Sequence, residues 1–194
     1  VFHLAGVNRP QDPSEFVTGN TDFTTHLLGL LKKHNSKATL IMSSTTQAAL
    51  DNDYGKSKKA AEDAVLKHQE DNGSIVFVFR LSGVFGKWGR PDYNSVVATF
   101  CHNIANGYPI SIHDPAREVL LCYIDDVVAT FISTAKGHLP MGKDGFCTVH
   151  PTYTVSLGNL ANLIQGFKQS RSNLYAPNSG NPFEAKLYAT YLSY

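Results

Sequence analysis

What this sequence has little of narrows its class. It carries three cysteines, Cys101, Cys122 and Cys147, an odd number without paired spacing. That argues against a disulfide scaffold and fits a reducing compartment. The spacing of Cys147 and His150 alone looks metal-like, and no second pair stands near in sequence to complete a tetrahedron, so no metal site is expected. The net charge is only +1 over 194 residues. With its basic residues dispersed, the chain has no electrostatic footprint for nucleic acid or an anionic membrane surface. Long apolar runs are missing too: none approaches the roughly 18–20 residues of a membrane span. The opening VFHLAG has no signal-peptide pattern, and a cytoplasmic protein is expected.

What remains is a chain able to fold. At 42% hydrophobic and 17% charged residues it can bury a real core. Its length suits one domain, or one domain with a small appendage. The KSKK run at 56–59 alternates with small residues and is expected to be a solvated helix face.

Strand-like and helix-like segments alternate almost throughout. VFHLAG opens as a buried strand, followed by the loop NRPQDPSE and an amphipathic helix from about Asn20 to Lys33. ATLIMSS is a buried strand ending in hydroxyls, and a helix follows from about Asp51 to Glu70. IVFVFRLS, β-branched and aromatic, suits a strand covered on both faces. Then come a Gly-rich loop, a helix near Asn94–Ala105, strands at ISIH and VLLCYI, the helix DDVVATFISTA, a strand FCTVH and a helix TVSLGNLANLIQGFKQ. A loop with Asn178, Gly180, Asn181 and Pro182 precedes a final helix, FEAKLYATYLSY, whose Tyr and Leu residues would pack on something outside this chain. Such alternation predicts an α/β fold with a parallel sheet.

Gly83, Gly86 and Gly89 spell G-x-x-G-x-x-G after a good strand, the outline of a dinucleotide fingerprint. That mechanism needs a helix opening at once around the third glycine. Here Trp88 sits beside Gly89 and Pro91 follows, so the segment is a loop, and the glycines let it turn sharply below a substrate pocket.

The stretch DYGKSKKAAE, 53–62, carries the chemistry. A bare Y-x-x-x-K recurs by chance on helices, because i and i+4 share a face. Here Tyr54 starts a helix, and the preceding strand ends in Ser43, Ser44 and Thr45. Hydroxyls therefore stand at the carboxyl edge, where open α/β sheets bind ligands. Free tyrosine titrates near ~10. An ammonium one turn away, at Lys58, with a positively charged nicotinamide, would favour the phenolate and allow proton exchange during hydride transfer. Thr45 would orient the reacting carbonyl oxygen.

HLAG, the SST strand end, YGKSK, FRLSGVFG and YIDDVV, in this order, resemble the extended short-chain dehydrogenase/reductase family, which includes the NAD-dependent nucleotide-sugar epimerases and dehydratases. The resemblance implies a Rossmann-like parallel sheet. Residues 1–135 would be the catalytic part and 136–194 a substrate-binding region with the terminal helix. It implies Tyr54 as acid, Lys58 as its activator and Thr45 as the third hydroxyl. His3, Ala5, Gly6, Asn20 and Lys58 would line the cofactor, with Gly83 and Val84 near it, although Asn20 also reads as a simple helix cap. Asn8, Arg9, Lys87, Asn94 and Arg117 are the implied substrate contacts, Arg117 through its bidentate fork on a diphosphate.

Further stretches, HLAGVNRP, FGKWGRPDYNSVVATFC and LYATYLSY, resemble the family's reductases of capsular polysaccharide synthesis. They imply NADPH-dependent reduction of a UDP-linked 4-keto-6-deoxy amino sugar, by a full-length homodimer that also carries a metal-binding cupin domain. A C4 epimerase retaining NAD, and a non-catalytic cofactor-binding module, are the alternatives. A dehydratase is not expected, because Thr46 and Gln47 stand where dehydratases carry an Asp-Glu pair. The family's glycine fingerprint and first strand–helix units do not precede VFHLAG. The chain is therefore expected to hold an incomplete sheet with an unpaired, aggregation-prone first edge, and to bind NADPH poorly alone.

Overall fold

The computed structural model describes residues 1–173 and 180–194. It is a mixed α/β structure with parallel strand pairing, in two compact units, each assembled from two stretches of chain. The expected loop residue Asn178 lies outside the described residues.

The first unit combines Val1–Leu81 with Ala129–Val149. Its sheet has the order β1-β2-β3-β7-β6. Strands β1 (Phe2–His3), β2 (Leu40–Thr45), β3 (Val76–Leu81) and β7 (Phe146–Cys147) run parallel, and β6 (Gly142–Lys143) returns antiparallel to β7. The β2–β3 register runs from Leu40↔Val76 to Thr45↔Leu81. With side chains alternating across a strand, one face gathers Leu40 and Met42 from β2 and Val78 from β3. These pack on Leu28 of helix α2 (Phe23–Lys33) and on Ala61 and Val65 of helix α3 (Asp53–Asn72). Phe79, on the other face, meets Phe131 with ring centroids 4.7 Å apart. Phe131 belongs to α5 (Ile124–Ala135), whose residues from 129 onward lie in this unit. Both faces of β3 are thus covered, as its β-branched and aromatic sequence implies.

The same alternation directs Ser44 and Arg80 toward α3. Glu62 is fully buried there, accepts from Ser44 Oγ at 2.5 Å, and is gripped by Arg80 through Nε at 3.1 Å and a second guanidinium nitrogen at 2.7 Å. The Arg80 guanidinium lies 3.5 Å above the Phe146 ring.

The second unit combines Ser82–Val128 with His150–Tyr194. Strand β4 (Gly83–Phe85) pairs parallel with β5 (Glu118–Tyr123), and β8 (Thr152–Ser156) pairs antiparallel with β5. Helices α4 (Val96–Asn106), α6 (Leu157–Asn173) and α7 (Pro182–Tyr191) pack around Phe85, Phe100, Leu160, Ile164, Phe167 and Leu187.

Several expectations are corrected. Helical backbone begins at α1 (Ser14–Phe16) and runs through a π turn, Val17–Asp22, into α2, rather than starting near Asn20. The cause is a reciprocal cap: Asp12 Oδ1 accepts from the Ser14 amide at 2.8 Å, while Glu15 Oε1 accepts from the Asp12 amide at 3.0 Å. Gly83–Phe85 forms a strand, not a loop, because β5 offers it a ladder. Thr154–Ser156 continues β8, with Val155 opposite Val119, so the helix starts only at Leu157. ISIH has no strand partner, and FCTVH contributes only Phe146–Cys147. The KSKK run divides. Lys56 and Lys59 are exposed and paired with Asp51 and Asp63, whereas Ser57 and Lys58 are buried. The final helix forms as expected, but Leu187 and Tyr191 are buried in the second unit's own core.

All three cysteines are free and buried. Burial pushes the Cys101 thiol up to about 12 and raises Cys122 and Cys147 as well. Among the described residues no helix is long and apolar enough to cross a membrane.

The Glu62–Arg80 pair yields a stability prediction. Replacing Arg80 by Met orphans a buried carboxylate and is expected to lower unfolding stability by about 3 kcal/mol. Ser44's remaining bond and Arg80's partial exposure keep the loss from being larger. Glu62→Gln should cost less, because no charge is left buried. Urea melts of the two variants check the order; equal losses would remove the charge argument.

Candidate active site

Three elements of the first unit converge at one edge. β1 and β2 end there, and α3 begins. Asn52 caps α3 by accepting from the Gly55 amide at 2.8 Å, which puts Tyr54 in the first turn and Lys58 one turn on. Thr45 ends β2 and starts a 3-10 turn, Thr46–Ala49, its hydroxyl accepting from the Gln47 amide at 3.2 Å.

Tyr54 is half-buried, its ring 5.8 Å from that of Phe16. Burial raises the phenol above its ordinary value, and an interaction with the Thr45 hydroxyl pulls it part of the way back. The sequence leads to the opposite expectation from Lys58 and a bound nicotinamide together; within the chain itself, Lys58 does not lower the phenol. The difference lies in where the lysine points. Lys58 is buried, and its ammonium donates to the Ser43 carbonyl at 2.9 Å. Its own affinity for a proton is lowered, chiefly by burial, with Glu62 opposing. Tyr54 is therefore a neutral phenol at neutral pH, able to give a proton rather than to take one.

His3 is buried beside this lysine. Thr24 has one hydroxyl proton and gives it to the Asn20 carbonyl at 2.5 Å. His3 Nε2, 2.8 Å from the same hydroxyl, is then the donor, which fixes the neutral ring tautomer. Burial, and after it the Lys58 charge, lowers the His3 pKa from 6.5.

Asn20 works as a clamp. It sits in the π turn, with 2% of its surface exposed. Its Oδ1 accepts from the Val7 amide at 2.8 Å, and its Nδ2 donates to the Val7 carbonyl and to Ser57 Oγ, both at 2.9 Å. Ser57 in turn donates to the Tyr54 carbonyl at 2.8 Å. One amide side chain thus ties the loop after β1 to the turn that carries Tyr54. Ala5 and Gly6 are exposed in that loop. A Cβ on Gly6 would stand 2.8 Å from Asn20 Oδ1 and 3.7 Å from Lys58 Nζ, so the glycine keeps the surface beside the lysine bare.

The first unit therefore brings together Tyr54, Thr45, Lys58, His3, Gly6 and Asn20. Of the other candidates, Asn8 is half-buried and Arg9 exposed on the loop that follows. Gly83, Val84, Lys87, Asn94 and Arg117 belong to the second unit, all but Val84 exposed. Sequence reasoning missed Ser57 and Thr24. Ser57 stands inside the YGKSK stretch but was assigned no role there; Thr24 carries no signal of its own.

Three comparisons place these features among known proteins. The profile of the NAD dependent epimerase/dehydratase family matches residues 1–137. A protein of Pseudomonas aeruginosa described as UDP-2-acetamido-2,6-beta-L-arabino-hexul-4-ose reductase is 45% identical over all 194 residues, which cover 52% of its length. The capsular polysaccharide assembling protein CapF from Staphylococcus aureus superposes with a TM-score of 0.88 at 39% identity, over 99% of this chain and 51% of that one. The fold recurs at 17% identity, with a TM-score of 0.81, in UDP-glucuronic acid 4-epimerase from Bacillus cereus in complex with NAD, over 99% of this chain and 72% of that one. The chain spans about half the length of the first two relatives.

The depressed His3 predicts a pH dependence. In the unfolded chain His3 takes up a proton as pH falls through about 6.5; in the fold it resists until lower pH. Over that window the unfolded state binds more protons, so stability falls as pH falls. His3→Gln should flatten the fall between about pH 7 and the lowered value. Thermal melts across that range test it, and an unchanged slope would assign the acid sensitivity elsewhere.

Proposed function

The chain belongs to the NAD dependent epimerase/dehydratase family, and from that membership we propose that it is the catalytic part of a nucleotide-sugar reductase. The reaction is reduction of a UDP-linked 4-keto-6-deoxy amino sugar with NADPH, in the synthesis of capsular or other surface polysaccharide precursors. The observation that carries this reading is the placement of Tyr54 in the first turn of α3, at the edge where Thr45 ends β2 and Lys58 is buried one turn on. The names of the P. aeruginosa and S. aureus relatives support the substrate class and the capsular role. A cytoplasmic homodimer, divided into a catalytic part at 1–135 and a substrate-binding region at 136–194, completes the reading.

The bare surface over Gly6 fits a dinucleotide, since it leaves Lys58 approachable where any side chain would cover it. His3, Ala5, Gly6, Asn20 and Lys58 would hold the cofactor, with Gly83 and Val84. When bound, NADPH supplies the hydride. Lys58 would hydrogen-bond the nicotinamide ribose and so orient the bound cofactor. Thr45 positions the ketone oxygen, and Tyr54 protonates that oxygen as it becomes an alkoxide. A phenol held above its ordinary pKa keeps its proton until a stronger base forms, and an alkoxide is one. Asn8, Arg9, Lys87, Asn94 and Arg117 are the proposed contacts to the nucleotide sugar. Asn20 and Ser57 act on the reaction through the loop and turn that they hold.

A chimera tests the proposal. In it this chain replaces the equivalent 52% of the P. aeruginosa relative. It should oxidise NADPH when given the 4-keto amino sugar nucleotide. Tyr54→Phe should lower kcat by about 10²–10⁴-fold with NADPH binding retained. A folded chimera that binds NADPH and turns nothing over sinks the reductase reading. Interconversion of C4 epimers with retained NAD would install the epimerase in its place.

A further inference from the structure

The glycine triplet at 83, 86 and 89 is explained by packing, but the tryptophan inside it is not. A Cβ on Gly86 would stand 2.2 Å from Ile124 Cγ2, and one on Gly89 3.3 Å from both Ala98 Cβ and Tyr194 Oη. The loop is pressed onto the start of α5, onto α4 and onto the residues that follow α7. Hydrogen bonds from distant parts of the second unit secure it. The Tyr194 phenol donates to the Gly89 carbonyl at 2.5 Å, and the Trp88 amide donates to Ser193 Oγ at 3.2 Å. The Asp92 amide donates to Thr99 Oγ1 at 2.9 Å, and the Arg90 guanidinium stands 5.0 Å from the Tyr93 ring centre.

So firm a loop holds its largest side chain in water. Trp88 is 82% exposed, on a backbone with φ of +59°. Left-handed backbone is unfavourable for a bulky residue. An indole left in water also forgoes the burial that makes tryptophan useful in a core. Two unfavourable features at one position, maintained by anchors from three elements, mark a site rather than slack. The neighbours indicate what it takes. Lys87 and Arg90 flank Trp88 in sequence and are both exposed on the same loop, and Asp92 is the loop's one carboxylate. A loop that offers water a flat apolar face and two cations suits a ligand that joins a ring to phosphates.

We infer that Trp88 is a binding residue for the nucleotide sugar, its indole stacking on a ring of that ligand, base or sugar, while Lys87 and Arg90 meet the diphosphate. The inference rests on the nucleotide-sugar reading above and adds a stacking surface to it. Ser193 and Tyr194 are positioning residues, since they set the loop without touching the ligand.

Trp88 is the single tryptophan of the chain, so the difference in emission between wild type and Trp88→Phe isolates it. The protein is titrated with UMP, UDP, UDP-N-acetylglucosamine and NADP⁺. Saturable quenching by UDP-N-acetylglucosamine, absent in Trp88→Phe, is expected. Trp88→Ala should weaken that binding by about tenfold, judged by calorimetry, with an unchanged melting temperature. Tyr194→Phe should weaken it too, while its tryptophan emission still responds. Quenching by UMP identifies the stacked ring as the base, and quenching confined to the sugar nucleotide identifies the sugar; either upholds the inference. It is overturned by no response to any uridine nucleotide, by quenching with NADP⁺ alone, or by a blue shift that grows with protein concentration before ligand is added, which would mean the indole packs on a second copy. Because the readout is binding, failure of the reduction leaves this result interpretable by itself.

Discussion

Lys58 holds its ammonium out of water, with the Ser43 carbonyl 2.9 Å away as its acceptor, and the first unit is arranged around that burial. His3 is held neutral chiefly by its own burial, with the nearby Lys58 cation adding to the effect, and it donates to Thr24. Polar groups enclosed with a charge must find partners among themselves. Asn20, Ser57, Thr24 and the backbone of Val7 do so in one continuous chain of hydrogen bonds that reaches the Tyr54 carbonyl. The turn that carries the proposed acid is therefore held by a network that runs beside the buried lysine, whose own acceptor is the Ser43 carbonyl.

The second enclosed charge on α3, Glu62, solves the same problem differently. Its partner is a cation from β3, and the pair locks helix to sheet one turn beyond Lys58. The buried face of α3 runs Gly55, Ser57, Lys58, Ala61, Glu62, Val65, His68. Such a face gains less from apolar burial than an ordinary core helix, and directed contacts hold it instead.

That composition explains what was legible. The alternation of elements, the buried strand at Leu40–Thr45 and the Y-x-x-x-K spacing were visible, since they depend on side-chain type and spacing. VFHLAG, expected as a buried strand, instead pairs only at Phe2–His3 and leaves Val1, Phe2 and Leu4 exposed. The acceptor for Lys58 is a backbone carbonyl, and no residue letter reveals it. Asn20 was legible as important but not as a clamp, because its partners lie 13 and 37 positions away. The three-residue strand at Gly83 was invisible for a similar reason: its pairing comes from β5, and a glycine-rich segment has no strand signal of its own. The segment Thr154–Ser156 was drawn into the helix that follows, although Thr152–Val155 had the β-branched and aromatic pattern of a strand. The fold class survived these errors because it rests on the order of the longer elements.

The buried thiols have a consequence for handling and for life in an oxidising burst. At pH 7 a cysteine with a pKa of about 12 is ionised in roughly one molecule per hundred thousand. Alkylating agents and peroxide react with the thiolate, so Cys101 offers them almost nothing, and Cys122 and Cys147 are shifted in the same direction. Sulfur chemistry is thereby kept away from a protein whose proposed proton donor is a phenol.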